Sequence, residues 1–500
     1  MKSRAEQEWD AFKENFHTYA DKKIVLYGIG RGTTTLISEN QCFQFVGLMD
    51  KDMENIGKSM YNLPIVSLSE AEKIADMIII SAPETYWEII YRRIKNSKIP
   101  VYYRNGKEAY INEKKAVTAK EVEDRLIKLS VDKVMERMIT NICNVLFQQR
   151  TDDNRYTDAV SFDNLYNLGY CLWGPIIYTF CEWLYLQSME REIRHLIFLS
   201  RDGYLLQQDY DFFIEKNNIV DAPKSKYLFA SRRIAFVAAI ETVEDFQEWA
   251  CFPFNGTFME YMWNRFMVDV SKDEHEQCKI QMPYDREKVW QWMKRYAYQI
   301  ESNIKRDKRN YRRYLEEMEL WGGVEQKDFA LVDIGYSGNI QRKLSHILRK
   351  QLIGFYFVCD LSLENECLNE NELVPCFQKK SDNKADETAI YRKPQLLEAM
   401  FTAPYGMIMT VDECSEKICM PPSGNQIYFE ERIEINRGIQ SFICDMKYVY
   451  DKNESLTEHR LMADQVFGIL MNNVALGEEI EKIFYWEDAI VQARENMIFK

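Results

Sequence analysis

Short apolar runs bounded by polar clusters recur along this 500-residue chain, and their spacing predicts strands alternating with helices. In the amino-terminal part, Lys23-Ile-Val-Leu-Tyr27, Phe45-Val-Gly-Leu-Met49, Pro64-Ile-Val66, Asp76-Met-Ile-Ile-Ile-Ser81 and Pro100-Val-Tyr-Tyr103 read as strands with helical stretches between them. That βαβ alternation predicts a Rossmann-like parallel sheet over residues 20–110. Farther on, three runs end abruptly in polar clusters. His195-Leu-Ile-Phe-Leu199 runs into Ser-Arg-Asp-Gly-Tyr204, Tyr227-Leu-Phe-Ala230 into Ser-Arg-Arg233, and Phe329-Ala-Leu-Val332 into Asp-Ile-Gly-Tyr-Ser-Gly-Asn339. Four or five apolar residues followed by Gly, Ser or Asp predict a buried parallel strand delivering polar groups at its carboxyl end. Ligands of open α/β sheets bind at those ends.

The remaining pattern completes an α/β organisation. Residues 116–160 read as a helical connector and Ile176–Leu186 as a buried aromatic helix after the break at Trp173-Gly-Pro175. Residues 240–325 read as a helical, cap-like insertion rich in Trp, Tyr and Met, whose aromatics are expected mainly in its own core. Gly354-Phe-Tyr-Phe-Val358 reads as a further core strand, Pro394–Gly406 as a helix with Glu398 toward the site, and residues 428–500 as two or three helices. The expected domains are 1–115, 116–160, 161–410 and 411–500.

Length, charge and cysteine usage narrow the class. Five hundred residues exceed one ordinary core, which points to two or three domains. A net charge of -14 argues against a chain built to bind nucleic acid or an anionic membrane. The 12 Cys contain no C-x-x-C pair, so neither a zinc site nor a disulfide framework is expected. No uncharged apolar stretch reaches the roughly 18 residues of a transmembrane helix, and Met1–Phe16 lacks a secretory core. The expectation is a cytoplasmic protein with no transmembrane segment.

At the first strand, Gly28-Ile-Gly30-Arg-Gly32-Thr33 offers backbone N–H groups to a phosphate, and Asp50 lies about twenty residues on, where a ribose hydroxyl is read. Thr33 replaces the third glycine of that fingerprint, so the fold without a nucleotide stays open beside the nucleotide-binding reading. Gly47-Leu-Met-Asp50 through Asn62-Leu-Pro-Ile-Val66 resembles amino-terminal Rossmann domains fused to bacterial sugar-modifying enzymes.

Ser200-Arg-Asp-Gly-Tyr-Leu-Leu206 resembles the first motif of the haloacid-dehalogenase (HAD) superfamily. Ser231 resembles the phosphate-holding residue of its second motif, and Asp333, with Gly335 and Gly338, the acidic fourth motif. The likeness covers roughly residues 160–410. The phrases FLSRDGYLL, ASRR and VDIGYSGNIQ look like those of HAD-like proteins of bacterial surface-polysaccharide gene clusters. The resemblance implies catalytic roles for Asp202, Asp333, Ser200 and Ser231, with Mg²⁺ shared by Asp202 and Asp333. It implies phosphate or substrate binding by Arg201, Gly203, Arg232, Arg233, Gly335, Ser337 and Asn339. Ser200 stands where the family has its nucleophilic aspartate. The basic third motif has four candidates: Lys305, Arg306, Lys308 and Arg309. Taken singly, each Arg also reads as a structural ion pair and each Ser as a helix N-cap.

The function so implied is phosphoryl-group hydrolysis or transfer on a phosphorylated or nucleotide-linked sugar in polysaccharide biosynthesis. The alternatives are a catalytically degenerate sugar-phosphate or nucleotide-binding scaffold partnering a glycosyltransferase, and a glycosyltransferase in its own right.

Overall fold

Lys23–Tyr27 (β1) is buried from its second residue onward and alternates its side chains between two cores. Ile24 and Leu26 pack with Phe16, Leu48 and Ile79, whereas Val25 and Tyr27 pack with Met49, Ile78 and Ile80. A strand covered on both faces must be apolar throughout, which is why the run was legible. The computed structural model describes residues 12–29, 33, 36–38, 40–51, 55–82, 86–109, 117–147, 160–162, 164–321, 328–359, 372–378, 388–446, 456–477, 480, 483–488 and 493–496. The chain divides into two units, residues 1–115 and 116–499.

The first unit is a four-stranded parallel sheet of order β2-β1-β3-β4, with β2 Gln44–Met49, β3 Met77–Ile80 and β4 Val101–Tyr103. Helix α1 (Leu68–Ile74) links β2 to β3 and starts at a Ser67/Glu70 capping box; α2 (Trp87–Ile94) links β3 to β4. The expected strand at Pro64–Val66 is instead part of a small hairpin, Ser59–Met60 with Leu63–Pro64, touching the sheet through an Ile65–Leu48 bridge. Pro64 lacks the N–H that a full ladder position needs.

The second unit is built on a five-stranded parallel sheet of order β9-β8-β7-β5-β6. Its strands are β5 His195–Leu199, β6 Lys224–Leu228, β7 Phe329–Asp333, β8 Ile353–Cys359 and β9 Glu372–Gln378. Helix α3 (Gly174–Glu190) is buried on most sides and packs with α9 (Phe429–Met446) and α10 (Leu456–Asn473). The chains approach so closely that a Cβ on Gly169 would overlap the Ile435 carbonyl, and one on Gly438 that of Tyr166. Residues of 119–147 and of 435–484 join this same core, so the connector and the carboxyl-terminal region pack with the sheet rather than apart from it. The carboxyl-terminal region also departs from the all-helical expectation. Val474–Leu476 pairs with Val160–Phe162, and Tyr485–Asp488 with Ala493–Asn496.

Between β6 and β7 the insertion forms helices Val243–Ala250, Phe258–Phe266, Arg286–Met293 and α6 (Ala297–Glu317), with a Phe254–Thr257/Lys279–Met282 hairpin. Trp249, Tyr261 and Phe266 fill its own core, closed by Met407 and Met409 at the start of β10 (Ile408–Val411), which pairs with β11 (Lys417–Cys419). Trp263, by contrast, is 43 % exposed.

Asp209, in helix α4 (Gly203–Lys216), is fully buried in the large core. Its Oδ1 accepts from Gln440 Nε2 at 3.4 Å, and Oδ2 has no hydrogen-bond partner among the described residues. Burial pushes its carboxyl up to about 8, against the opposing hydrogen bonds of Asn436 and Gln440. A carboxyl whose folded-state pKa is raised favours the native state in its protonated form. The stability it confers is present below the ordinary carboxyl value of 3.8 and is lost as pH rises toward about 8. Asp209→Asn is therefore expected to raise the urea midpoint at pH 8 and leave it nearly unchanged at pH 4, flattening the pH profile. An unchanged profile would show that Asp209 is not the group that titrates.

Candidate functional site

In the second unit the chain leaves β5 toward β6 on one side and returns to β7 on the other. The carboxyl ends of β5 and β7 are thus adjacent while their following segments run to opposite sides, which opens a crevice. Phe198 pairs with Val332, so Ser200–Asp202 and Asp333 emerge together at its rim. Asp333 is 9 % exposed, and one carboxylate oxygen accepts from the Ile334 N–H at 2.9 Å. Burial raises its carboxyl well above the ordinary range, and the negative charges of Asp202 and Glu398 raise it further; the Ile334 N–H and the Arg232 cation oppose them. The Tyr336 hydroxyl is also raised, first by burial and then by Glu398, Asp202 and Asp333. Three carboxylates and one guanidinium from four segments therefore share one electrostatic environment. Glu398 comes from α8 (Pro394–Met400). Gly335 turns the chain out of β7 at φ +144°, and a Cβ there would press on the Val358 carbonyl.

The β5 end is held differently. Ser200 Oγ donates to the Ala230 carbonyl at 2.6 Å and accepts from the Ala230 N–H at 2.9 Å. The hydroxyl thereby continues the β5–β6 ladder by one step beyond Leu199–Leu228. Arg201 and Asp202 are half-buried, and Asp202 heads α4 without capping it through its side chain. Gly203 packs on Phe198, where a Cβ would crowd it.

At the β6 end, Ser231 caps α5 (Arg232–Ala239), accepting from the Ile234 N–H at 3.2 Å, and donates to the Ile408 carbonyl at 2.7 Å. Arg232 is the half-buried residue whose charge reaches Asp333. Arg233 is not brought to the crevice. Fully buried, it pairs with Asp307 of α6 at 2.9 Å and donates to the Met409 carbonyl. Adjacent helical positions point about 100° apart, so of two consecutive arginines one faces the opening and the other the core. At the start of α7 (Asn339–Leu348), Asn339 Nδ2 donates to Ser337 Oγ at 2.8 Å.

The basic residue implied by the third motif finds no occupant among its four candidates. Lys305 pairs with Glu301, Arg306 with Asp307 and Arg309 with Glu413, while Lys308 donates to the Ile240 carbonyl. As to the metal, Asp202 and Asp333 are hard oxygen donors of the kind Mg²⁺ takes with waters completing its shell. Among the described residues, no group of three His, Cys, Asp or Glu side chains is arranged to hold a metal ion.

In the first unit the corresponding crevice lies between β1 and β3. Gly28 (φ +123°) follows β1, its carbonyl accepting from Thr33 Oγ1 at 2.8 Å and from Ser81 Oγ at 3.3 Å. Asp50 accepts from the Lys51 N–H at 2.6 Å and from Asn55 Nδ2 at 2.5 Å, which ties it to its own loop. Gly30 and Gly32 lie outside the described residues.

The apolar-run pattern missed the aromatic residues beside the second crevice. Tyr204, Tyr227 and Tyr405 meet there, with 2.6 Å between the hydroxyls of Tyr227 and Tyr405. Tyr405 lies 178 positions beyond Tyr227 in the chain, and each of the three alone reads as ordinary core.

Because Ser200 Oγ serves both backbone groups of the buried Ala230, Ser200→Ala is expected to destabilise the protein by about 1–3 kcal/mol in urea unfolding. Ser200→Asp is expected to be more damaging, since it sets a carboxylate against the Ala230 carbonyl. Wild-type stability in Ser200→Ala would show the hydroxyl free for other work.

No protein-family model and no curated protein sequence matches this chain.

Proposed function

We propose that the crevice between β5 and β7 carries out phosphoryl-group hydrolysis or transfer on a phosphorylated or nucleotide-linked sugar, in the manner of HAD-like enzymes of surface-polysaccharide biosynthesis. The observation that carries the reading is the buried Asp333, sharing its surroundings with Asp202, Glu398 and Arg232 at the sheet's switch point. The sheet order, with β7 beside β5 and β6 beyond it, supports the same reading.

In this scheme Asp202 is the attacking carboxylate, since Ser200 already donates its proton to the Ala230 carbonyl. Its oxygen bonds to phosphorus as the ester oxygen departs and takes a proton from solvent water; water or an acceptor hydroxyl then attacks the phosphorus, gives up its proton to solvent and frees Asp202. Arg232 neutralises phosphoryl oxygens, with Arg201 at the opposite rim. Ser231 and Arg233 act by positioning the β6 turn rather than by touching the phosphate. Mg²⁺ held by Asp202 and Asp333 would supply charge neutralisation at the phosphoryl group. Gly28 and Asp50 would serve a nucleotide in the first unit.

A second reading is favoured by the doubly bonded Ser200: a scaffold that binds the sugar phosphate without turning it over and partners a glycosyltransferase. A phosphate-release screen with Mg²⁺ against sugar phosphates and nucleotide sugars separates the two. The expected result is metal-dependent release that falls by about a hundredfold or more in both Asp202→Ala and Asp333→Asn. Full turnover by either variant rules out the proposed chemistry, and silence across the panel with retained ligand binding selects the scaffold.

A further inference from the structure

Beside the carboxylates, half-buried aromatic rings from four segments form a continuous wall. The Tyr204 ring lies 5.7 Å from that of Tyr227, 6.4 Å from Tyr405 and 5.8 Å from Phe429, and Phe229 extends the row at 6.1 Å from Tyr227. The wall adjoins the crevice, because the Tyr227 hydroxyl lies in the fields of both Asp202 and Arg201. At its edge stands Lys417 of β11. Its ammonium sits 4.8 Å from the Tyr405 ring centre and 5.2 Å from that of Phe229, and among the described residues no carboxylate pairs with it.

An ammonium lodged on two rings has already lost part of its hydration and is fixed in place, which suits it to an incoming anion. Aromatic faces at the same spot suit the flat face of a sugar or a nucleobase. We propose that this wall and Lys417 form a subsite for a ring-bearing phosphate ligand, with the ring against Tyr204 and Tyr405 and an anionic group on Lys417. The subsite rests on the phosphoryl reading above for the chemistry beside it, but not for its own ability to bind. It supplies from β11 the cation that none of the α6 candidates provides.

Calorimetric titration of the full chain with glucose 1-phosphate, uridine 5′-monophosphate and inorganic phosphate tests this. At least one ring-bearing phosphate is expected to bind about tenfold or more tightly than inorganic phosphate. Tighter binding of the glucosyl ligand puts a sugar on the wall, and tighter binding of the uridyl ligand puts a base there. Lys417→Ala and Tyr405→Ala are each expected to weaken the favoured ligand about tenfold, with Lys417→Arg retaining most of the affinity. Lys417 lies on a hairpin, and an unchanged melting curve for Lys417→Ala confirms that the fold is intact. Equal affinities for the ring-bearing ligands and inorganic phosphate, affinity unaffected by Lys417→Ala, or binding of none of the three overturns the proposal. Lys417-dependent binding without phosphate release keeps the subsite and removes only the reaction; release insensitive to Lys417→Ala removes only the subsite.

Discussion

The buried pair of Arg233 and Asp307 is the interaction on which the arrangement around the crevice depends. Both side chains are fully removed from solvent, and the guanidinium also donates to the Met409 carbonyl while Arg306 holds the other oxygen of Asp307 at 2.9 Å. One cation thereby links the turn after β6, helix α6 of the insertion and the β10–β11 hairpin. Burying two charges has a large desolvation cost, and deleting one partner of such a pair typically costs about 3–5 kcal/mol because the other is left uncompensated. Neighbouring bonds reinforce the junction: Asn310 Nδ2 donates to the Val411 carbonyl, and the Phe229 N–H to the Tyr314 hydroxyl. The insertion is thus anchored to the strand ends that bear Ser231 and Arg232.

The same junction explains what was legible in the chain. The apolar runs preceding Ser200 and Asp333 form β5 and β7, which are central and buried on both faces and therefore apolar, while the run preceding Ser231 supplies only the last two residues of the edge strand β6. Strand β9, Glu-Leu-Val-Pro-Cys-Phe-Gln, was not legible: it lies at the sheet edge, where Pro375 and flanking polar residues are tolerated. The choice between Arg232 and Arg233 was equally hidden, since only the packing of α6 decides which one turns inward. The aromatic wall depends on contacts between Tyr204, Tyr227, Tyr405 and Phe429, and no local pattern signals a surface assembled at such separations.

Electrostatics at the crevice sets a condition that any reaction there must meet. The negative charges of Asp202 and Glu398 add to the cost of ionising the buried Asp333, and the Ile334 N–H and the Arg232 cation oppose them. Such a cluster is relieved by a proton, by a cation or by a ligand that brings one. A phosphate arriving without compensation would meet repulsion from the carboxylates, so cationic contacts at the rim matter as much as the acids. Arg201 and Arg232 border the crevice from β5 and β6, and under the subsite proposal Lys417 adds a third cation from β11.

The catalytic and scaffold readings therefore differ less in binding than in what Ser200 and Asp202 do. In either, the Ser200 hydroxyl ties β5 to Ala230, and that tie fixes the turn from which Asp202 projects. An aspartate at position 200 would put charge where the ladder requires a small group that both donates and accepts. The serine at position 200 is thus matched by local structure: the hydroxyl has a defined backbone role, and the carboxylate two residues later heads a helix it does not cap. Asp202 thus stands at the N-terminus of α4, where the helix dipole also favours an incoming anion such as a phosphate. Asp333 instead stands buried at the end of a strand, its carboxyl raised by burial and by Asp202 and Glu398 against the Ile334 N–H and Arg232. In the catalytic reading a cation between the two acids, Mg²⁺, would relieve the charge that burial and its acidic neighbours make costly at Asp333.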